Sequence, residues 1–267
     1  MTKAYVFDNA WQQERQRMDA LETIWDPWTV RNLELIGVDE GWRCAEIGGG
    51  GGSIAGWLGR RVGAAGHVLA TDLDTRLLES IDGPNIETRQ HDITTEDLES
   101  GIYDLVHARL LLEHLPRHEA ALRRMRAALK PGAWLLIEEF DHSTFLPDPG
   151  SSPAQRAVWR AWLAAFERLA DQRGLDLTYG AKLFGLLHGL RLEDVSTEGH
   201  TITERGGSDS RSLLLLSIVK LRDDLVATGE VDDEGVDRML ELLQDPGFFW
   251  TSQVMVSARG RLPLLRP

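Results

Sequence analysis

The chain has 267 residues, 42% of them apolar, one cysteine and a formal net charge of −13 at pH 7. This supplies a core for one large α/β domain with a small accessory element, while the acidic balance argues against a general nucleic-acid binder, which needs a basic surface. Cys44 allows no disulfide or cysteine-based metal site, no stretch reaches membrane-span length, and the first residues lack an apolar signal run, so a cytoplasmic, reducing compartment is expected, with no membrane partner.

In chain order, Trp11 to Ile24 carries Met18, Leu21 and Ile24 at helical spacing, Asp26-Pro27 predicts a break, and Trp28 to Ile36 reads as a second helix stopped by Gly37. Residues 1–40 are therefore expected to form an N-terminal helical cap. It either packs on the core or closes over ligands, with Tyr5, Trp11, Trp25 and Trp28 as candidate contacts. Residues 41–267 follow as the main domain. Cys44 to Ile47 is a short apolar strand containing one acid, Glu46. Five glycines, Gly48 to Gly52, lead to Ser53, a candidate helix cap, and to a helix through Ile54, Ala55, Trp57 and Leu58. Val68 to Thr71 makes a second strand ending at Asp72.

Strand, glycine turn, helix, strand and acid form the pattern of a nucleotide-type cofactor site. Glycines permit positive φ and close backbone approach, and a helix start offers N–H groups. Asp72 lies at the roughly 20-residue spacing that suits two ribose hydroxyls. Glu46, just before the first glycine, would repel an anionic pyrophosphate and attract a sulfonium or ammonium group.

The stretch resembles the first motif of class I S-adenosylmethionine-dependent methyltransferases, E/D-x-G-x-G-x-G, in Glu46, Gly48, Gly50 and Gly52. The resemblance is strong over about residues 40–140 and points to the small-molecule type, either secondary-metabolite or ubiquinone/menaquinone-like. It implies a Rossmann-like α/β fold with a seven-stranded, mostly parallel sheet, an antiparallel last strand, helices on both faces and helical cap elements. It also implies that Asp72 holds the ribose, with Leu73 beside it among the cofactor contacts.

Thr75 to Ile81 reads as a helix ended by Gly83-Pro84, and Asn85 to Arg89 as the third strand. The acid after it, Asp92, is placed to accept from an adenine amine, with Ile93 on the ring; the alternative is that Asp92 caps a short helix near Thr94 to Leu98. The fourth strand, Ile102 to His107, ends at the ligand crevice, which places His107 and Arg109 near the methionine end. Arg109, where the family has a small residue, could pair with Glu46 or with the cofactor carboxylate. His114, in the following turn, is expected to pack.

Arg117 to Leu129 is an amphipathic helix, ended by Lys130-Pro131-Gly132, and Ala133 to Glu138 is the fifth strand. Glu138, Glu139, Asp141 and His142 cluster at its exit. Alternation along a strand keeps them from converging, so no metal site is expected. His142 is the candidate base or acceptor anchor. Cap insertions are expected at about 141–180, with a helix over Ala154 to Gln172, and at about 205–247, with helices around Leu214 to Leu225 and Asp232 to Gln244. Lys182 to His188 reads as another helix, Leu190 to Ser196 as the sixth strand, and Thr251 to Ala258 as the last, beside strand five.

The expected activity is transfer of the S-adenosyl-L-methionine methyl group to a small organic acceptor, an aromatic or terpenoid metabolite, with oxygen, nitrogen or carbon as nucleophile left open. A homodimer stays open. The alternatives are a cofactor-binding protein of the same fold that catalyses a cyclisation, and an NAD-dependent oxidoreductase. The acceptor pocket is expected to include His142, Tyr179 and one of Tyr5, Trp25 or Trp28.

Overall fold

A computed structural model describes residues 14–208 and 211–264. The chain divides into two compact units. The sheet unit comprises Trp25–Phe140, Tyr179–His200 and the chain from Met255. The helical unit comprises residues 14–24, Asp141–Thr178 and the described part of Thr201–Val254.

The sheet unit is built on seven strands: β1 (Arg43–Ile47), β2 (His67–Asp72), β3 (Ile86–Gln90), β4 (Tyr103–Arg109), β5 (Leu129–Asp141), β7 (Glu193–His200) and β10 (Val254–Arg261). Their order is β3-β2-β1-β4-β5-β10-β7. β1 pairs in parallel with β2 and β4, β2 with β3, and β4 with β5. β10 runs the other way: Gly132 N–H donates to the Leu262 carbonyl and the Glu138 carboxylate meets Ser257, so rising numbers on β5 face falling numbers on β10. β7 is antiparallel to β10. The central strands are apolar on both faces, as strands covered on both sides must be. The fold is therefore the Rossmann-like, mostly parallel sheet with an antiparallel last strand that the motif order implied.

On one face Cys44, Val68, Ala70, Leu105 and Leu136 meet Leu33 and Ile36 of α1 (Glu14–Ile36) and Ile54, Ala55, Leu58 and Val62 of α2 (Ser53–Val62). On the other, Ala45, Ile47, Val106, Ala108, Leu135 and Ile137 meet α3 (His118–Ala128) and α5 (Tyr179–Gly189). Strand order reverses between β1 and β4, and the ends of these strands define the crevice where open α/β sheets take ligands.

The helical unit holds α4 (Pro153–Arg173), α6 (Arg211–Ala227), α7 (Asp233–Leu242) and a small sheet, β6 (Leu146–Pro147), β9 (Phe249–Thr251) and β8 (Thr203–Arg205). α4 starts at a capping box, in which Gln155 N–H donates to Ser152 Oγ and Ser152 N–H to Gln155 Oε1, and it ends at left-handed Gly174. Its core is aromatic: Trp159 lies within 6.1 Å, centroid to centroid, of Phe145, Trp162, Phe248 and Trp250.

Several local expectations are corrected. Asp26-Pro27 does not break the first helix; α1 is continuous with Pro27 inside. Trp25, Thr29, Asn32, Leu33 and Ile36 form one buried stripe across the proline, and that burial outweighs one missing N–H. Ser53 is the first residue of α2 rather than its cap; left-handed Gly52 holds the cap position. Thr75–Ser80 is a 3-10 turn. No helix follows Asp92; a turn does. The sixth strand starts later than Leu190 because the Leu190 N–H still bonds Leu186 and Leu187 of α5. Thr251 belongs to β9 and not to the last strand; at Ser252 the chain turns, with its hydroxyl accepting from Ile202 N–H. Tyr5 and Trp11 lie outside the described residues.

Candidate cofactor site and a buried charge row

β1 ends at Ile47, and the glycine loop turns back over the neighbouring β2 end. Gly48, Gly50 and Gly52 have φ of +72°, +53° and +88°, conformations that favour glycine. At Gly52 an added Cβ would also strike the Ile81 side chain. The loop N–H groups are largely used within the chain. Gly48 and Gly49 both donate to the Thr71 carbonyl at 2.8 Å, Gly52 donates to the Gly49 carbonyl, and Gly50 donates to Asp72 Oδ2 at 3.1 Å. Asp74 N–H donates to the other oxygen, Oδ1, at 3.2 Å. Burial pushes the Asp72 carboxyl up from its usual range, against the pull of these N–H donors.

Leu73, next in the chain, is 57% exposed. Such an exposed leucine beside an acid at a strand end is a ready apolar platform. Asp92 follows β3, half-buried, with Oδ1 accepting from Thr94 N–H at 2.8 Å and Thr94 Oγ1 at 2.6 Å. Burial would raise its carboxyl, but these donors and the nearby His91 hold it below the usual range. Ile93 is not an open platform: it is buried with the α3 side of the sheet.

On the α1 face, four strands present one polar row: Glu46 (β1), His107 and Arg109 (β4), Glu138 (β5) and Ser257 (β10). Lone polar residues at alternate positions of apolar strands put them there. His107 is fully buried, with Nδ1 2.5 Å from Glu46 Oε2 and Nε2 3.4 Å from Glu138 Oε2. Burial opposes its charge, but the two carboxylates raise it to about 9. Glu138 accepts from Ser257 Oγ at 2.6 Å and from Thr29 Oγ1 of α1. Burial would raise Glu138; His107 and Arg109 hold it low. Arg109 does not pair with Glu46. It donates to Thr29 Oγ1 and to Asp26 Oδ1, each at 2.9 Å, because α1 brings Asp26 over the end of β4.

The next residue on β5 points the other way. Glu139 is fully buried on the α3 face, and its Oε1 accepts from Leu111 N–H at 3.1 Å and Leu112 N–H at 2.6 Å. Burial dominates there and raises the carboxyl to about 8. Among the described residues no group of three or more His, Cys, Asp or Glu side chains is placed to hold a metal ion.

His142 opens the helical unit. Its N–H donates to the Leu177 carbonyl and its ring lies 5.7 Å from Phe166 and 6.0 Å from Phe145. Burial lowers it to about 4. In the sheet unit, Tyr179 and Trp25 are core residues, edge-on to His118 and Phe140 respectively. Trp28 stacks on His200 at 3.9 Å.

Sequence reasoning missed Thr29, Asp26 and Ser257, which carry no motif. It also passed over His91, which is 6% exposed and, among the described residues, has no hydrogen-bond partner on either ring nitrogen. A histidine between a strand and a paired acid was the available signal.

The glycine loop, the acids at the ends of β1, β2 and β3, and the strand order define the fold of class I S-adenosylmethionine-dependent methyltransferases. A family model described as a methyltransferase domain matches residues 13–182, more than half of the chain, and the chain belongs to that family. Among curated proteins it is 34% identical over 125 residues to the ubiquinone/menaquinone biosynthesis C-methyltransferase UbiE of Pseudomonas putida, covering 44% of this chain and 49% of that protein. The chain thus spans about half the length of the curated relatives it matches. Among solved structures it is similar to phosphoethanolamine N-methyltransferase 2 of Haemonchus contortus in complex with phosphomonomethylethanolamine and S-adenosylhomocysteine, with a TM-score of 0.58 and 16% identity over 94% of this chain and 58% of that one. It is also similar to the [4+2]-cyclase SpnF, with a TM-score of 0.50 and 16% identity over 88% and 81%. Among the described residues no helix is long and apolar enough to cross a membrane.

Proposed function

We propose that this protein binds S-adenosyl-L-methionine and transfers its methyl group to a small organic acceptor. One observation carries the reading. The glycine loop directs the N–H groups of Gly48, Gly49, Gly50 and Gly52 to acceptors within the chain and is bordered by carboxylates, Glu46 and Asp72. A pyrophosphate would find neither free donors at those four positions nor a favourable field, which disfavours the NAD alternative. A cofactor with ribose hydroxyls and cationic groups suits the same surroundings. Asp72 would hold the ribose, Leu73 would cover a face of the adenine, Asp92 would accept from its amine, and Glu46 would face the ammonium end.

When bound, the cofactor supplies a methyl group already activated on a sulfonium. The chain has to hold it in line with a nucleophile and exclude water. The similarity to a ubiquinone/menaquinone biosynthesis C-methyltransferase supports a small-molecule acceptor; an aromatic or terpenoid acceptor, taken without nucleic-acid or membrane partners, is part of the proposal. His142 is proposed as an acceptor contact. Lowered to about 4, it is neutral at pH 7 and a weak base there. For His142→Ala we expect KM to rise with kcat little changed; a fall in kcat at constant KM would assign the base role instead.

Calorimetry tests the cofactor reading. S-adenosylmethionine should bind the wild type, and Asp72→Ala and Asp92→Ala should each weaken binding at least tenfold; unchanged affinity in both would remove the assignment. The likeness to a cyclase keeps a second reading, cofactor binding with cyclisation. Release of S-adenosylhomocysteine during turnover supports methyl transfer, and product formation without it supports the second reading.

A further inference from the structure

We propose that His107 is a positioning residue for cofactor recognition: a buried imidazolium held between Glu46 and Glu138, it fixes the Glu46 carboxylate at the mouth of the glycine loop and so sets affinity for the cationic methionine end of S-adenosylmethionine. The inference rests on the cofactor reading above.

A neutral imidazole has one N–H and one lone pair. With Nδ1 2.5 Å from Glu46 and Nε2 3.4 Å from Glu138, a neutral ring would aim its lone pair at a carboxylate. Only the doubly protonated ring donates to both. Glu138 is held toward the ring by Ser257 on one oxygen and Thr29 on the other. The ring itself is fully buried on the central strand β4. Glu46, 3% exposed, therefore meets a partner that is itself clamped on the far side.

The charged and titratable groups around the ring are few. Glu46 comes from β1, Glu138 from β5, Arg109 from β4 and Asp26 from α1, while Cys44 lies two residues before Glu46 on β1. Arg109 is engaged by Asp26 and Thr29, so His107 is the cation that faces both acids. Burial works against its charge, yet the two carboxylates keep the ring protonated up to about pH 9. Loss of that proton would leave two buried acids without a shared donor, and Glu46 free to turn.

A purely structural role would lower stability and leave cofactor affinity alone, so affinity is the readout. Calorimetry with S-adenosylmethionine is run on the wild type and on His107→Gln from pH 6 to 10, with circular dichroism to confirm folding. Wild-type affinity should be level from pH 6 to 8 and fall at least fivefold by pH 10. His107→Gln should bind at least tenfold more weakly at pH 7, with no such fall. Nitrogen-15 NMR of the ligand-free wild type should show an imidazolium at pH 7. Folded His107→Gln that binds like the wild type, or a neutral His107 ring at pH 7, overturns the proposal while leaving the cofactor reading intact. A wild type that binds no S-adenosylmethionine overturns the reading and this role with it. Should His107→Gln fail to fold, the nitrogen-15 spectrum of the ligand-free wild type decides: an imidazolium at pH 7 that loses its proton near pH 9 supports the role, and a ring already neutral at pH 7 overturns it.

Discussion

The helical unit and the sheet unit both bury charge, but they place it differently. In the helical unit the centre is aromatic: Phe145, Trp159, Trp162, Phe248 and Trp250 are all buried, and its buried charges include Glu14, paired with Arg17 and Lys220, and Glu204, which accepts from the Trp250 indole N–H. In the sheet unit a row of five side chains from four strands, four of them acidic or basic (Glu46, His107, Arg109 and Glu138), runs through the interior under α1. Buried charges cost several kcal/mol each unless paired, and apolar residues would fill the same space. The row lies beside the glycine loop, which is why we propose a role for it in cofactor recognition.

The contrast is sharpest under mutation. Trp159→Ala should show the largest loss, about 5 kcal/mol at the upper end for a buried tryptophan, because four aromatic rings surround it. Denaturant unfolding measures this, and cofactor affinity measured on the folded fraction should not change. Glu138→Ala should lose less, about 3 kcal/mol, at the low end for breaking a buried pair, since His107 keeps Glu46. Its mark should be weaker cofactor binding. Equal losses of affinity in both variants would erase the distinction between the units.

Above pH 7 the pH dependence of stability should come from the sheet unit. His107 and Glu139 both hold their protons above their unfolded values, at about 9 and about 8. Between the unfolded and folded values the native state binds more protons than the unfolded chain, so stability falls as pH rises. The His107 contribution is full below about 6.5 and is lost through 9; the Glu139 penalty grows from about 4.3 up to 8. The melting temperature should therefore fall from pH 7 to pH 9, and Glu139→Gln, which keeps an oxygen for the Leu111 and Leu112 N–H groups, should flatten the decline. A melting curve independent of pH in this range would contradict both assignments. The smallest effect belongs to the surface: Arg76→Ala, removing an exposed partner of Asp74, should change stability by about 0–1 kcal/mol.

Much of the sheet unit could be read from the sequence because its signals are local. Cys44–Ile47, the glycines and Asp72 give strand, turn and acid in one continuous stretch, and the alternation of Glu138 and Glu139 correctly sends them to opposite faces. What could not be read depends on partners distant in sequence. Thr29 matters because α1 crosses β5, and Ser257 because the last strand returns beside it. Pro27 misled because the strength of the buried stripe around Trp25 and Leu33 is a tertiary quantity. The small sheet escaped because LP, TER and FWT are too short to show a period.

The central claim is that the crevice at the ends of β1, β2 and β3 is a cofactor cradle made of carboxylates. A crystal structure of the protein grown with S-adenosylhomocysteine tests it most directly. The account predicts the ribose hydroxyls within hydrogen-bond reach of Asp72, the adenine amine at Asp92 and the amino group on the Glu46 side of the glycine loop. Ligand bound elsewhere, with Asp72 and Glu46 touching only water and protein, would contradict it.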